Sequence, residues 1–337
     1  MSDSSPRPDG GDTPFASHMP QATWTVGGAF RFDQHLVTLM EFLLSKCPPR
    51  KIMRVAGAPS CAWSLDMYGQ RTPMSPDFCA HAMQTYGQLG LGVALVFDNP
   101  LLPESALDDS YGHRLMELLC SPQCNATGLN VAYVAHDGLA DALSKAYPLA
   151  RIICHRNRLI MEREKRTPAF YEELAKRYFR VTLHPRDAVS RELYTRLKDP
   201  WKYNVVVNDP VPRNYAARRE LLQLTAAQRQ KPWDYTIAEA KEKLAERSGL
   251  FSHSNTSNLT ATEELALYDA GIRSFILQDF MFRNEVTLWW DLFYHIYRTT
   301  PERSNEAALI AGAAMAHIRE SGDELSSGFR LFSFGKN

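Results

Sequence analysis

The sequence predicts an α/β protein folded as a (β/α)8, TIM-like barrel with C-terminal helices and a disordered N-terminal tail. Three observations predict it. Eight short apolar runs recur along the chain, each closed by polar, Pro or Gly residues. Stretches with helical spacing lie between them, and alternating strand and helix means parallel strands joined by crossover helices. The 337 residues are enough for one such barrel, which needs about 250. A doubly wound open sheet satisfies the same alternation, because closure is not written in a sequence. The expected organisation is a disordered tail over 1–30, a barrel over 31–300, and a C-terminal helix and tail over 301–337 packed on the barrel.

The elements follow in chain order. The opening MSDSSPRPDGGDTPFASHMPQ is rich in Ser, Pro, Gly and Asp and has no hydrophobic signal core, so a cytoplasmic location is expected. The first expected strand, 53–56, ends in Gly57-Ala58-Pro59-Ser60-Cys61. The second, 92–97 (GVALVF), ends in Asp98-Asn99-Pro100. The third, 129–135 (LNVAYVA), ends in His136-Asp137-Gly138, and the fourth, 150–153, in Cys154-His155-Arg156. The fifth, 179–183, ends in His184-Pro185-Arg186. The sixth, 203–207, carries Val205, Val206 and Val207 and stops at Asn208-Asp209-Pro210. A weaker seventh, 250–252, ends in His253-Ser254-Asn255, and the eighth, 273–277, in Gln278-Asp279.

Four helix starts carry their own signals. Asp137 opens one helix, which Pro148 stops. Thr167 caps another, with Pro168 at its first position. Thr236 with Glu239, and Thr260 with Glu263, have capping-box spacing, with Gly249 and Gly271 just past the ends.

The strand endings form a set: Asp98, His136, His155, His184, Asn208, Asp209, His253 and Asp279. In a parallel barrel these ends converge on one mouth, where active sites sit. Four of the ten histidines fall in this small fraction of the chain. Each has a plain structural reading too, as a loop residue or a stand-in helix N-cap, and Asp137 and Asp98 read equally as a cap and a turn starter. As a set they are expected to be functional. His184 and His155 are the acid–base candidates, with Asn208 and Asp209 beside them and Asp209 and Asp279 orienting or charge-balancing the imidazoles. Arg186, Arg218 and Arg156, with His136, are expected to bind substrate, because Arg offers a bidentate fork to carboxylate or phosphate. Arg158 and Arg213 also follow strand ends. The competing reading for these arginines is pairing with Glu162, Glu164 and Glu220.

Composition excludes several classes. Lys+Arg and Asp+Glu both total 38, so a mainly electrostatic partner such as bulk nucleic acid or an anionic membrane is not expected. No run approaches the roughly 20 apolar residues of a membrane span. Among the six cysteines, Cys120 and Cys124 stand as C-x-x-x-C without a second pair, so reduced interior thiols are expected. GQLGLG at 87–92 precedes a strand, whereas a dinucleotide fingerprint follows one, so it reads as a turn. The aromatic stripe of Trp289, Trp290, Phe293, Tyr294 and Tyr297 has the spacing of a core or interface helix, open to an oligomer or protein partner. AALIAGAAMAHI reads as a small-residue helix packed on the barrel.

The phrase VVVNDPVPRNYAARR, at 205–219, resembles the U32 peptidase-like (collagenase-like) barrels. In that group the sixth strand tends to end in Asn-Glu, followed by two cysteines and an Arg. Asn208-Asp209 matches the first pair and Arg218 the Arg, while Val211 and Tyr215 stand where the cysteines would be. YVAHDGLADALSKAYPLARIICH is similar to the group's third and fourth strands, and LYDAGIRSFILQDF to its last βα unit. The resemblance extends over most of 51–298. It implies the fold and the active face. Members with an iron–sulfur cluster need four thiolates at one site, and this chain offers Cys61 and Cys154, so such a cluster is not expected, nor is collagenase activity carried over.

Three functions are compatible with these features. The first is a U32-like enzyme, of hydrolase or lyase type, acting on an anionic small molecule or modified nucleotide with a His as general base. The second is a hydrolase, lyase or isomerase dependent on Zn, Fe or Mn, with His155, His184, His253 and Asp279 as ligands. The third is a non-catalytic barrel serving as a binding or assembly protein.

Overall fold

The computed structural model describes residues 19–30, 33–46, 52–65, 74–162, 165–209, 211–247 and 257–278, with scattered positions between 291 and 316. Eight parallel strands close into a barrel. In chain order the elements are β1 (Thr23–Gly27), α1 (Asp33–Lys46), β2 (Ile52–Gly57), α2 (Pro76–Gln88), β3 (Gly92–Phe97), α3 (Ser110–Cys120), β4 (Val131–Val134), α4 (Asp137–Ala146), β5 (Ile152–Cys154), α5 (Arg156–Ile160), α6 (Pro168–Arg177), β6 (Arg180–Thr182), α7 (Arg191–Tyr194), β7 (Tyr203–Val206), β8 (Asn208–Asp209), α8 (Arg218–Gln230), α9 (Tyr235–Arg247), β9 (Ser257–Asn258), α10 (Ala261–Asp269) and β10 (Ser274–Leu277). Around the ring the order is β1-β10-β7-β6-β5-β4-β3-β2, and β8 and β9 form a separate antiparallel ribbon.

Period-two alternation sorts the strand residues into two layers. Trp24, Val26, Val55, Val93, Leu95, Val134, Val181, Val205 and Phe275 pack outward against the helices. Trp24 and Phe275 stack with centroids 5.1 Å apart across the β1–β10 seam that closes the barrel. Ala56, Ala94, Val131, Tyr133, Ile153 and Ile276 face the interior. Full burial of each large apolar side chain stabilises the fold by about 1.5–3 kcal/mol. Two glycines are needed where they stand. A Cβ on Gly92 would come within 2.6 Å of Leu129, and Gly271 closes α10 at φ +96.

The structure corrects the expected organisation at several points. β1 falls inside the expected tail over 1–30. TWTVG alternates Thr23 and Thr25 with Trp24 and Val26, and Trp24 and Val26 are buried. The weak strand at 250–252 lies outside the described residues, and the eight barrel strands are complete without it. Asn208-Asp209 is a two-residue strand, Asn208 opposite Asn258 and Asp209 opposite Ser257, where a loop was expected. α9 starts earlier than its expected capping box. Asp234 accepts the Thr236 N–H at 3.1 Å, which places the cap two residues upstream of Thr236. The described positions from Asn305 to Ala316 are exposed, Leu309 at 74%, and the rest of the expected C-terminal helix and tail lies outside the described residues. Of the aromatic stripe, Tyr294 is described and is half exposed, while Leu292 and Ile296 are buried. Trp289, Trp290, Phe293 and Tyr297 lie outside the described residues. Among the described residues no helix is long and apolar enough to cross a membrane.

Candidate functional site

Three of the selected histidines occupy equivalent places, each one or two residues past a barrel strand. His136 caps α4, and its Nδ1 accepts the Leu139 N–H at 3.1 Å. His155 caps α5, accepting the Asn157 N–H at 3.2 Å. His184 Nδ1 accepts the Arg186 N–H at 3.1 Å. The plain capping role and a functional one therefore coincide. A ring nitrogen that accepts a backbone N–H carries no proton, so in the neutral ring the proton is on Nε2. Each of these imidazoles presents an Nε2–H donor.

Their environment keeps them in that state. Burial, with Arg156 beside it, pushes His155 down to about 3. Burial, followed by the charges of Arg166, Arg218 and Arg186, pushes His184 down to about 2, against the opposing pull of Asp209. Half-buried His136 is also lowered, mainly by desolvation. At neutral pH His155 and His184 are uncharged donors. The general-base role expected of them does not suit rings that bind a proton so weakly.

Asp209 is the hub of the mouth. One of its oxygens, Oδ2, accepts Arg156 Nη1 and Arg218 Nη1, both at 2.7 Å. The other accepts the Val211 N–H at 3.0 Å. Arg156 also donates to Gln278 Oε1 at 2.8 Å, and Arg218 to the carbonyls of Val211 and Pro212. Burial alone would raise the Asp209 pKa, but Arg156, Arg218 and the Val211 bond hold it below the usual carboxylate range. Asp209 thus balances two guanidiniums; among the described residues it hydrogen-bonds no imidazole, although its charge acts on His184. Two buried guanidiniums thus converge on one carboxylate oxygen. Asn208 is a structural clasp. It donates to the Gln278 carbonyl and the Asp291 carboxylate, and its Oδ1 accepts the Gln278 N–H at 2.7 Å.

The selected residues thus form a connected run: His155 beside Arg156, Arg156 on Asp209, Asp209 on Arg218, and Arg218 acting on His184. Arg186 is exposed at the rim, with its Nε on the Arg213 carbonyl at 3.0 Å. Arg158 pairs with Asp137 and Glu162, and Arg213 with Glu263, so for these two the ion-pair reading is the right one. His253 and Asp279 lie outside the described residues.

Other residues enter the site that the sequence did not single out. The Tyr171 hydroxyl accepts the His184 N–H and donates to Asp187 Oδ2 at 2.6 Å, which Arg166 Nε also reaches at 2.6 Å. Asn157 donates to the Asp98 carbonyl at 2.8 Å, and the Asp98 carboxylate accepts the Leu65 N–H at 2.7 Å. These contacts fix the bases of α5 and of the His184 turn. Gln278 had one local signal, its place beside Asp279 at the end of β10.

For a metal, an Nε2–H nitrogen offers no lone pair, and Nδ1 of both His155 and His184 is already engaged. Among the described residues no group of three or more His, Cys, Asp or Glu stands together. The Cys61 and Cys154 thiols are buried and each is pushed up to about 12 by that burial. Cys124 is buried as well, within 3.8 Å of the Ala80 carbonyl.

No protein-family model matches the chain, and no curated protein matches it. A solved structure of a U32 peptidase is similar to it, with a TM-score of 0.48 and 10% identity, over 83% of this chain and 98% of that one. That relationship is distant.

Proposed function

We propose that the barrel mouth binds an anionic small molecule bearing a carboxylate or phosphate, a nucleotide phosphate included, and that the protein acts on it as an enzyme. The observation that supports this reading is the pair of buried guanidiniums, Arg156 and Arg218, gathered at the mouth on Asp209. The neutral Nε2–H groups of His184 and His155 add donors beside those cations. Such donors strengthen as negative charge builds on a substrate oxygen, so their role is to polarise a carbonyl or stabilise an oxyanion.

A second reading is favoured by the same geometry. Asp209 is doubly ion-paired and the two imidazoles carry their protons on Nε2, which describes binding without proton abstraction. On that reading the barrel is the non-catalytic alternative, a protein that binds an anion without turning it over.

Thermal-shift titration with carboxylates and phosphate esters, paired with neutral amides and alcohols of the same shape, tests both. Stabilisation by anions and not by their neutral isosteres is expected, and it weakens in Arg186→Gln. NMR of the stabilising ligand incubated with the protein then separates turnover from binding. Equal response to neutral isosteres, or none to any anion, overturns the proposal.

A further inference from the structure

The opposite end of the barrel carries a second cationic cluster. Val205 packs outward and Val206 inward, so Asn204 faces the interior; Val181 packs outward, so Arg180 and Thr182 face the interior as well. Thr182 is aligned with Asn204, and Asn204 with inward-facing Ser274, in a polar layer across three adjacent strands. Arg54 enters from β2, which stands four strands from β6 around the eight-stranded ring and so directly across from it. Interior-facing Tyr133 lies between them, within electrostatic reach of both guanidiniums. Arg180 opens β6, Ser274 opens β10 and Arg54 lies midway along β2, so the layer sits below the strand ends that form the mouth.

This layer is short of partners. Thr182 and Asn204 are both 0% exposed, yet the Thr182 hydroxyl, both amide atoms of Asn204 and Arg180 Nε have no hydrogen-bond partner in the protein. Arg54, 5% exposed, places Nε on the Leu129 carbonyl at 2.6 Å. Arg180 and Arg151 lie over the Phe179 ring at 5.5 and 5.4 Å. Among the described residues no carboxylate pairs with Arg54, Arg151 or Arg180. Burial lowers the pKa of both Arg54 and Arg180, against the pull of Tyr133, and repulsion adds to it, from Arg180 and Arg151 on Arg54 and from Arg151 on Arg180. Buried polar groups are almost always hydrogen-bonded, and buried charge without a counter-charge is costly.

The unpartnered atoms specify their complement. Arg180 Nε, the Thr182 hydroxyl and the Asn204 amide nitrogen donate, whereas Asn204 Oδ1 accepts. An oxyanion supplies acceptors to the donors, and one that also keeps a P–OH supplies the donor that Asn204 Oδ1 lacks. Sulfate has no such proton at neutral pH. Complete burial of Thr182 and Asn204 restricts the ligand to a small ion, and partly exposed Arg180 marks its entry from the N-terminal face. We propose that the floor of the barrel is a binding site for inorganic phosphate, held by Arg54, Arg180, Thr182 and Asn204. The site is independent of the mouth and of whatever reaction occurs there.

Calorimetric titration of the full chain, freed of phosphate, with phosphate and in parallel with sulfate tests this. One phosphate per chain is expected, with sulfate weaker by about tenfold or more. Thr182→Val keeps the shape and removes the hydroxyl, and Arg180→Gln removes the partly exposed charge. Each is expected to weaken phosphate by about tenfold while circular dichroism stays native. The rim variant Arg186→Gln is expected to bind phosphate as wild type does. No saturable phosphate binding overturns the proposal, as does equal affinity for sulfate. Native-like binding by both floor variants, with loss in Arg186→Gln, would assign the phosphate to the mouth and overturn it too.

Discussion

Arg156 and Asp209, 53 residues apart in sequence, meet at 2.7 Å with 4% and 2% of their side chains exposed. The pair ties the start of α5 to the ribbon strand β8, and Arg218 at the start of α8 reaches the same oxygen. Three segments that share no local sequence signal are thereby fixed at one mouth. Ion pairs this deep contribute little net stability over an apolar packing, but losing one partner strands the others.

Asp209→Asn is therefore expected to destabilise the fold by about 3–5 kcal/mol, because two buried guanidiniums lose the carboxylate they share. Urea denaturation measures it. A loss below about 1 kcal/mol would mean that the cluster is solvated, as surface ion pairs are.

Stability is expected to fall with acid from pH 6.5 downward. His155 and His184 bind protons in the unfolded chain near pH 6.5 but hold off protonation to about 3 and about 2 when folded. The unfolded state thus carries more protons between those limits, and each ring costs about 1.4 kcal/mol per pH unit as pH falls through that window. Asp209 adds the same sign below about pH 4, since its folded pKa is depressed. Denaturation between pH 4 and 7 should show a shallower slope in His184→Gln.

Cys61 and Cys154 are expected to resist alkylation in the native protein at pH 8, since burial pushes both thiols up to about 12 and the thiolate is the reactive form. Iodoacetamide followed by mass spectrometry checks this. Rapid modification at either residue would mean that the strand ends open to solvent.

Thr260→Ala is expected to cost about 1 kcal/mol by removing the cap of α10. Glu263 completes that capping box and also holds Arg213. A double-mutant cycle of Thr260→Ala with Arg213→Gln should accordingly show coupling, which thermal denaturation would reveal.

What the sequence made legible follows from the range of each interaction. GVALVF and the Thr260–Glu263 box are local statements, apolar run and cap spacing, and both stand as expected. TWTVG was hidden because its two threonines and its place after a Ser/Pro/Gly-rich stretch masked the alternation that buries Trp24 and Val26. The histidines were visible as strand-end residues, but their tautomer depends on backbone N–H groups two or three residues on, whose direction is set only when α4, α5 and the His184 turn form. Asp209 was visible as a carboxylate at the mouth. That it serves Arg156 and Arg218 depends on contacts between α5, β8 and α8 that no spacing rule encodes, and Gln278, an ordinary residue by composition, gains its role the same way.

The protonation state of His184 bears most directly on the mouth as a site of neutral donors. Protein with 15N-labelled histidine, examined by long-range 1H–15N correlation at pH 7, reports which ring nitrogen carries the proton. Proton-bearing Nε2 and bare Nδ1 at both His184 and His155, unchanged on acidification to pH 5, is the expected result. A bare Nε2, or titration near pH 6.5, would contradict it and return these residues to the roles of base or metal ligand.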